Sequence, residues 1–206
     1  MRTLGFPPIS TQSVDSTLFS THEVKRIAIT MISFFIVLIL WYLSSSKSEK
    51  IQLSAFFLAG LILSFFGDLF LLFKWGFLPG LGSFLLAHLC YIISFKKKPQ
   101  KRIKEFWPII LSLYASILLV FLFPYLKEMK IPVFIYAVVI SVMMYSALKT
   151  HNRNLIIGAL FFLISDTLLS FYMFFQPLIM LNLLVMTTYI LAQWFLVRGM
   201  LLSKDN

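Results

Sequence analysis

At 206 residues, 60% of them hydrophobic and only 13% charged, the chain is too apolar for a soluble domain and reads as a polytopic membrane protein. Its formal net charge of +10 does not point to nucleic acid, because the Lys and Arg fall between apolar stretches, where they orient a membrane protein. A single cysteine, Cys90, excludes an internal disulfide and a cysteine-based zinc cluster.

Residues 1–24 are rich in Ser and Thr, contain Pro7 and Pro8, and lack the basic-then-apolar layout of a signal peptide. They are expected to form a polar tail or an interfacial segment ahead of one transmembrane domain over 25–203. Apolar runs follow at about 27–43, 51–73, 77–95, 107–124, 131–148, 155–175 and 178–202. Each is close to the ~20 residues that carry a helix across the hydrocarbon. Lipid offers an unpaired backbone group no partner, and nothing here alternates at a period of two as a barrel would. The predicted fold is therefore all-α, a transmembrane helical bundle of seven spans.

The loops set the orientation. Lys96, Lys97, Lys98, Lys101, Arg102 and Lys104 lie between the third and fourth runs and hold that connection on the cytoplasmic side. Alternation from there gives the same side Lys47, Lys50, Lys149, Arg153, Arg198 and Lys204, twelve cations against six on the other face. The tail is expected outside and the C-terminus inside. An anionic-lipid site on the basic loop is a second reading, but topology alone accounts for these charges. One cysteine and abundant Lys, Ile and Phe suggest a bacterial cytoplasmic membrane.

Six of the eight acidic residues fall in tails and loops, leaving Asp68 and Asp166 alone inside apolar runs. An aspartate at mid-bilayer costs roughly 2.5–3.5 kcal/mol on insertion scales, so it faces a polar cavity or a partner and marks a functional site. In the predicted topology Asp166 falls near mid-membrane and Asp68 farther out. The third run returns His88, the sole histidine within an apolar run, to a comparable depth. The seventh adds Asn182, Tyr189 and Gln193, of which the last two are four residues apart and share a helix face.

The two aspartate helices also resemble each other. Gly60 stands eight residues before Asp68 and Gly158 eight before Asp166, while Gly67 and Ser165 immediately precede the acids. Small residues there let a neighbouring helix or a ligand approach closely. An old duplication and convergent packing both account for the pattern.

Taken in order, Gly67-Asp68-Leu-Phe-Leu, the stretch Gly82 to Phe95 with its His88-x-x-Tyr91, the stretch Gly158 to Asp166, and Tyr189-Ile-Leu-Ala-Gln193 resemble the YhhN-like lysoplasmalogenases. These are multi-pass membrane proteins that hydrolyse the vinyl-ether bond of lysoplasmalogens. Members typically have eight spans; here the region before residue 25 is too polar for the first.

The resemblance implies a lysophospholipid substrate amid membrane lipids, release of a fatty aldehyde and a glycerophospho-base, and no cofactor or metal. Cleaving a vinyl ether begins with protonation of its distal alkene carbon. The resulting oxocarbenium ion takes up water, and the hemiacetal collapses to aldehyde and alcohol. A desolvated carboxylic acid beside a second carboxylate suits the proton donor, and the ionised partner suits the cation and the water. The expected catalytic residues are Asp68, Asp166 and His88, with the deeper Asp166 as the acid. Tyr91, Tyr189, Gln193, Ser165, Asn182 and Lys74 are candidates for substrate binding. Three other classes stay open: a proton-coupled transporter, which also needs mid-membrane acids; a zinc hydrolase, for which one membrane histidine is a poor donor set; and a non-catalytic scaffold.

Overall fold

A computed structural model describes residues 34–45, 54–73, 75–176 and 178–202. The expected tail over 1–24, the beginning of the first apolar run and Lys74 lie outside the described residues. The described chain is all helical: α1 (Phe34–Ser45), α2 (Ala55–Leu71), α3 (Phe77–Lys96), α4 (Phe106–Leu122), α5 (Lys130–Lys149), α6 (Arg153–Phe174) and α7 (Ile179–Leu202). A 3₁₀ turn, Lys127–Met129, precedes α5. Four helices, α3, α5, α6 and α7, are long and apolar enough to cross a membrane, while α1, α2 and α4 are apolar but shorter.

Local chemistry sets the boundaries. Pro79, Pro108 and Pro132 each occupy the third position of their helix. There the missing N–H costs nothing, because the first four amides have no intrahelical acceptor. Ser54 caps α2 by accepting from the Phe57 amide, and Asn152 caps α6 by accepting from those of Asn154 and Leu155. Between α5 and α6 the chain reverses in three residues, with His151 at φ 51° taking the left-handed conformation.

The bundle is built from two close hairpins, α2–α3 and α6–α7, with α5 packed between them against α3 and α6 and α4 lying outside against α5. In both hairpins the small residues face the returning helix. A Cβ on Gly60 would lie 2.5 Å from the Tyr91 ring, and one on Gly67 would lie 2.7 Å from the Phe84 ring, both on α3. A Cβ on Gly158 would lie 2.9 Å from the backbone nitrogen of Leu196 on α7, and one on Gly199 would lie 2.8 Å from that of Leu155. The interior is filled by large side chains including Phe57, Tyr91, Phe95, Phe162 and Leu196. On the outside, Ile109, Leu113, Ile117 and Val120 of α4 are exposed, the polarity expected of a surface whose solvent is lipid.

Three hydrogen bonds gather the basic segments at one end of the bundle. Ser54 donates to Ser94 at 3.2 Å, the Lys101 amide to the Lys149 carbonyl at 2.8 Å, and the Asn152 side chain to the Gly199 carbonyl at 3.0 Å. The α2–α3 and α6–α7 turns lie together at the other end, where the rings of Phe77 and Phe174 meet edge to face at 5.4 Å.

Candidate active site

Asp166 projects from the C-terminal half of α6 toward α5 and α3. The hydroxyl of Tyr136 on α5 donates to its Oδ2 at 2.6 Å. His88 Nε2 stands 3.7 Å from the same oxygen, close enough for an ion pair when the ring is protonated and too far for a hydrogen bond. The His88 side chain is buried and its ring is boxed by aromatics, with Phe162 at 4.6 Å and Tyr136 at 5.3 Å, both edge to face. Neither ring nitrogen makes a well-formed hydrogen bond. One turn back, the carbonyl of Phe84 lies beside the ring.

Asp68, on α2, is near enough to Asp166 for the two charges to interact, and the Tyr189 hydroxyl lies beside its carboxyl group. Its Oδ2 is buried and has no hydrogen-bond partner. Tyr189 belongs to a buried chain of polar groups that ties three helices together. Gln193 donates to Tyr189 at 3.3 Å, Tyr91 donates to Gln193 at 3.0 Å, and Ser64 lies 3.2 Å from the Tyr91 hydroxyl. Because Tyr91 has one proton and gives it to Gln193, Ser64 must be the donor in the last of these. Ser64 stands one turn before Asp68, so the chain begins and ends on the same face of α2.

A small open-sided cavity of about 50 Å³ lies between α2, α3, α5 and α6 at the end of the bundle that carries the α2–α3 and α6–α7 turns. Its walls are apolar, formed by residues such as Leu71, Leu81, Val133 and Met173, and its polar contributors are Asp166, Tyr136 and Ser170. Asp166 retains 11% side-chain exposure. Asp68 and His88 are not among the residues that line the cavity.

The sequence-predicted residues thus divide. Asp68, Asp166 and His88 converge from three helices, with Tyr189 beside Asp68. Tyr91, Tyr189 and Gln193 are buried and bonded to one another, an arrangement that holds helices and leaves little free for a ligand. Ser165 turns away from the acids and donates to the Val185 carbonyl of α7 at 3.0 Å. Asn182 lies in the first turn of α7, two turns before Tyr189, and Lys74 lies outside the described residues. The sequence reading missed Tyr136 and Ser64, since a Tyr or Ser in an apolar run is common. It also missed Tyr114, whose hydroxyl bonds Thr167, the residue after Asp166.

Residues 28–200 match the profile described as the YhhN family, a span that contains every group just placed around the two acids. The chain belongs to the YhhN family. Among curated relatives, lysoplasmalogenase TMEM86B of Homo sapiens is 32% identical over 161 residues, covering 75% of this chain and 65% of the relative. Lysoplasmalogenase TMEM86B of Rattus norvegicus is 31% identical over 169 residues, covering 82% and 69%. The lysoplasmalogenase of Mycobacterium bovis is 32% identical over 121 residues, covering 53% and 46%. This YhhN-family chain therefore spans a little under two thirds of the length of the human relative. No solved structure matches it. Among its described residues, no three His, Cys, Asp or Glu side chains gather as a metal site.

Proposed function

We propose that this chain is an integral-membrane lysoplasmalogenase that uses Asp166 as the proton donor and Asp68 as its charged partner. The observation that carries the reading is that two acids from different helices lie within electrostatic range of one another, one of them on the wall of an apolar cavity. The names of the relatives agree with it. Asp166 is the acid because it reaches the cavity, where an alkenyl chain lies among Leu, Phe and Met side chains. Its O–H bond breaks as a C–H bond forms at the distal alkene carbon, and the ether oxygen shares the resulting positive charge. Asp68, behind Asp166 and within electrostatic range of it, stabilises that charge from outside the cavity, as the second carboxylate of a pair does in glycoside hydrolysis, and water reaches the cation from the open side. Water adds to the cation and gives its extra proton to the Asp166 carboxylate, which restores the acid, and the hemiacetal then collapses to a fatty aldehyde and a lysolipid-derived alcohol. His88 packs behind Asp166, with its ring edge to face against Tyr136.

Seven helices cross the membrane in this reading, with the basic end of the bundle on the cytoplasmic side and the C-terminus with it. The cavity then opens toward the outer leaflet, between the α2–α3 and α6–α7 turns.

The test compares two lysolipids that differ by one double bond. Detergent-purified protein is incubated with a 1-alkenyl lysophospholipid and with its saturated 1-alkyl analogue, and fatty aldehyde is quantified. Aldehyde from the first alone is expected, because only the alkene carbon accepts the proton. Release from neither substrate, across several head groups, would move the assignment to another class such as proton-coupled transport.

A further inference from the structure

We propose that Tyr136 is a positioning residue for the proton-transfer step, fixing Asp166 through Oδ2 and stabilising the carboxylate that forms as the proton leaves; this rests on the hydrolase reading above. His88, expected from the sequence as a catalytic residue, holds its Nε2 3.7 Å from Oδ2, while the Tyr136 hydroxyl is at 2.6 Å. Of the two, only Tyr136 is within hydrogen-bond distance. Tyr136 and Asp166 also line the same cavity, and the Tyr136 ring is held edge to face against His88 at 87°.

The Tyr136 bond decides which oxygen reacts. A phenol carries one proton, and here it is committed to Oδ2, so Oδ2 serves as an acceptor. The neutral acid therefore carries its own proton on Oδ1, which leaves that oxygen for the alkene. When the proton passes to carbon, the bond from Tyr136 changes from one between neutral groups to one onto a carboxylate, which is roughly twice as strong. The gain appears only as charge develops, so it lowers the barrier without tightening substrate binding.

Tyr136→Phe keeps the ring and removes the donor. With the full-length protein and a 1-alkenyl lysophospholipid, kcat is expected to fall about 10- to 100-fold, with KM within about threefold of wild type. A packing role alone would instead lower the unfolding temperature or raise KM. Should the Phe variant fail to fold, difluorotyrosine incorporated at position 136 keeps the hydroxyl but makes it a stronger donor, and kcat is expected to change by more than about twofold at constant KM. An unchanged kcat in either protein, or a loss confined to KM, would overturn the proposal while leaving the hydrolase reading in place. A wild type that releases no aldehyde overturns that reading and this proposal with it.

Discussion

Replacing Gln193 with Leu tests whether the polar chain between α2, α3 and α7 acts as a strut. The amide is fully buried and makes two bonds, one from Tyr91 at 3.0 Å and one to Tyr189 at 3.3 Å. The Tyr91 bond crosses between helices, where such bonds in membrane proteins average ~0.6 kcal/mol and reach ~1.7, while the Tyr189 bond lies within α7. Neither phenol is stranded by the change, because the Ser64 hydroxyl turns to accept from Tyr91 and Tyr189 keeps the carboxyl group of Asp68 beside it. Leu also fills most of the vacated space, so no large cavity term adds to the loss. The expected destabilisation is about 1–2 kcal/mol, which for a chain of this length lowers Tm by roughly 2–8 °C. Thermal unfolding in detergent, followed by helical circular dichroism, measures it. A Tm equal to or above that of wild type would refute the reasoning, since it would mean the amide contributes nothing that an apolar side chain cannot supply.

The glycines give a paired prediction. Gly158→Ala places a Cβ 2.8 Å from a Leu196 methyl carbon and 2.9 Å from its backbone nitrogen, so α6 and α7 must separate, at about 1–3 kcal/mol. Gly82→Ala, with nothing within 4 Å of the new atom, is expected to stabilise α3 by about 0.5–1 kcal/mol; the two are told apart by the sign of their Tm shifts. The proposed chemistry also has an isotopic signature. In D₂O, aldehyde trapped at once by reduction should carry one deuterium at the carbon next to the carbonyl, because that atom receives the proton from Asp166; trapped product without the label would exclude protonation at carbon.

Much of the fold could be read directly from the chain, for a simple reason. Runs of about 20 apolar residues broken by Lys, Pro and Asn fix helix ends in a lipid solvent, and α3, predicted over 77–95, spans Phe77–Lys96. The acids were legible too, because an aspartate among Leu and Phe is costly enough to need a reason. Helix rotation was not. When lipid and interior are both apolar, hydropathy does not reveal which face turns inward, so Ser165 and Asp166 looked equally suited to a ligand although Ser165 faces the backbone of α7. Tyr136 carried no signal for the same reason, being one of eight tyrosines in a chain with 23 phenylalanines. Only placing α5 between α3 and α6 brings its hydroxyl onto Asp166.

The central claim is that the two membrane acids act on one bond, and aldehyde release by Asp68→Asn and Asp166→Asn tests it most directly. Each substitution keeps the shape of the side chain and removes its charge and its acid–base function. Both proteins are expected to fold as the wild type does, by circular dichroism and gel filtration, yet to release aldehyde at least about 100-fold more slowly. Wild-type rates in either folded variant would contradict it.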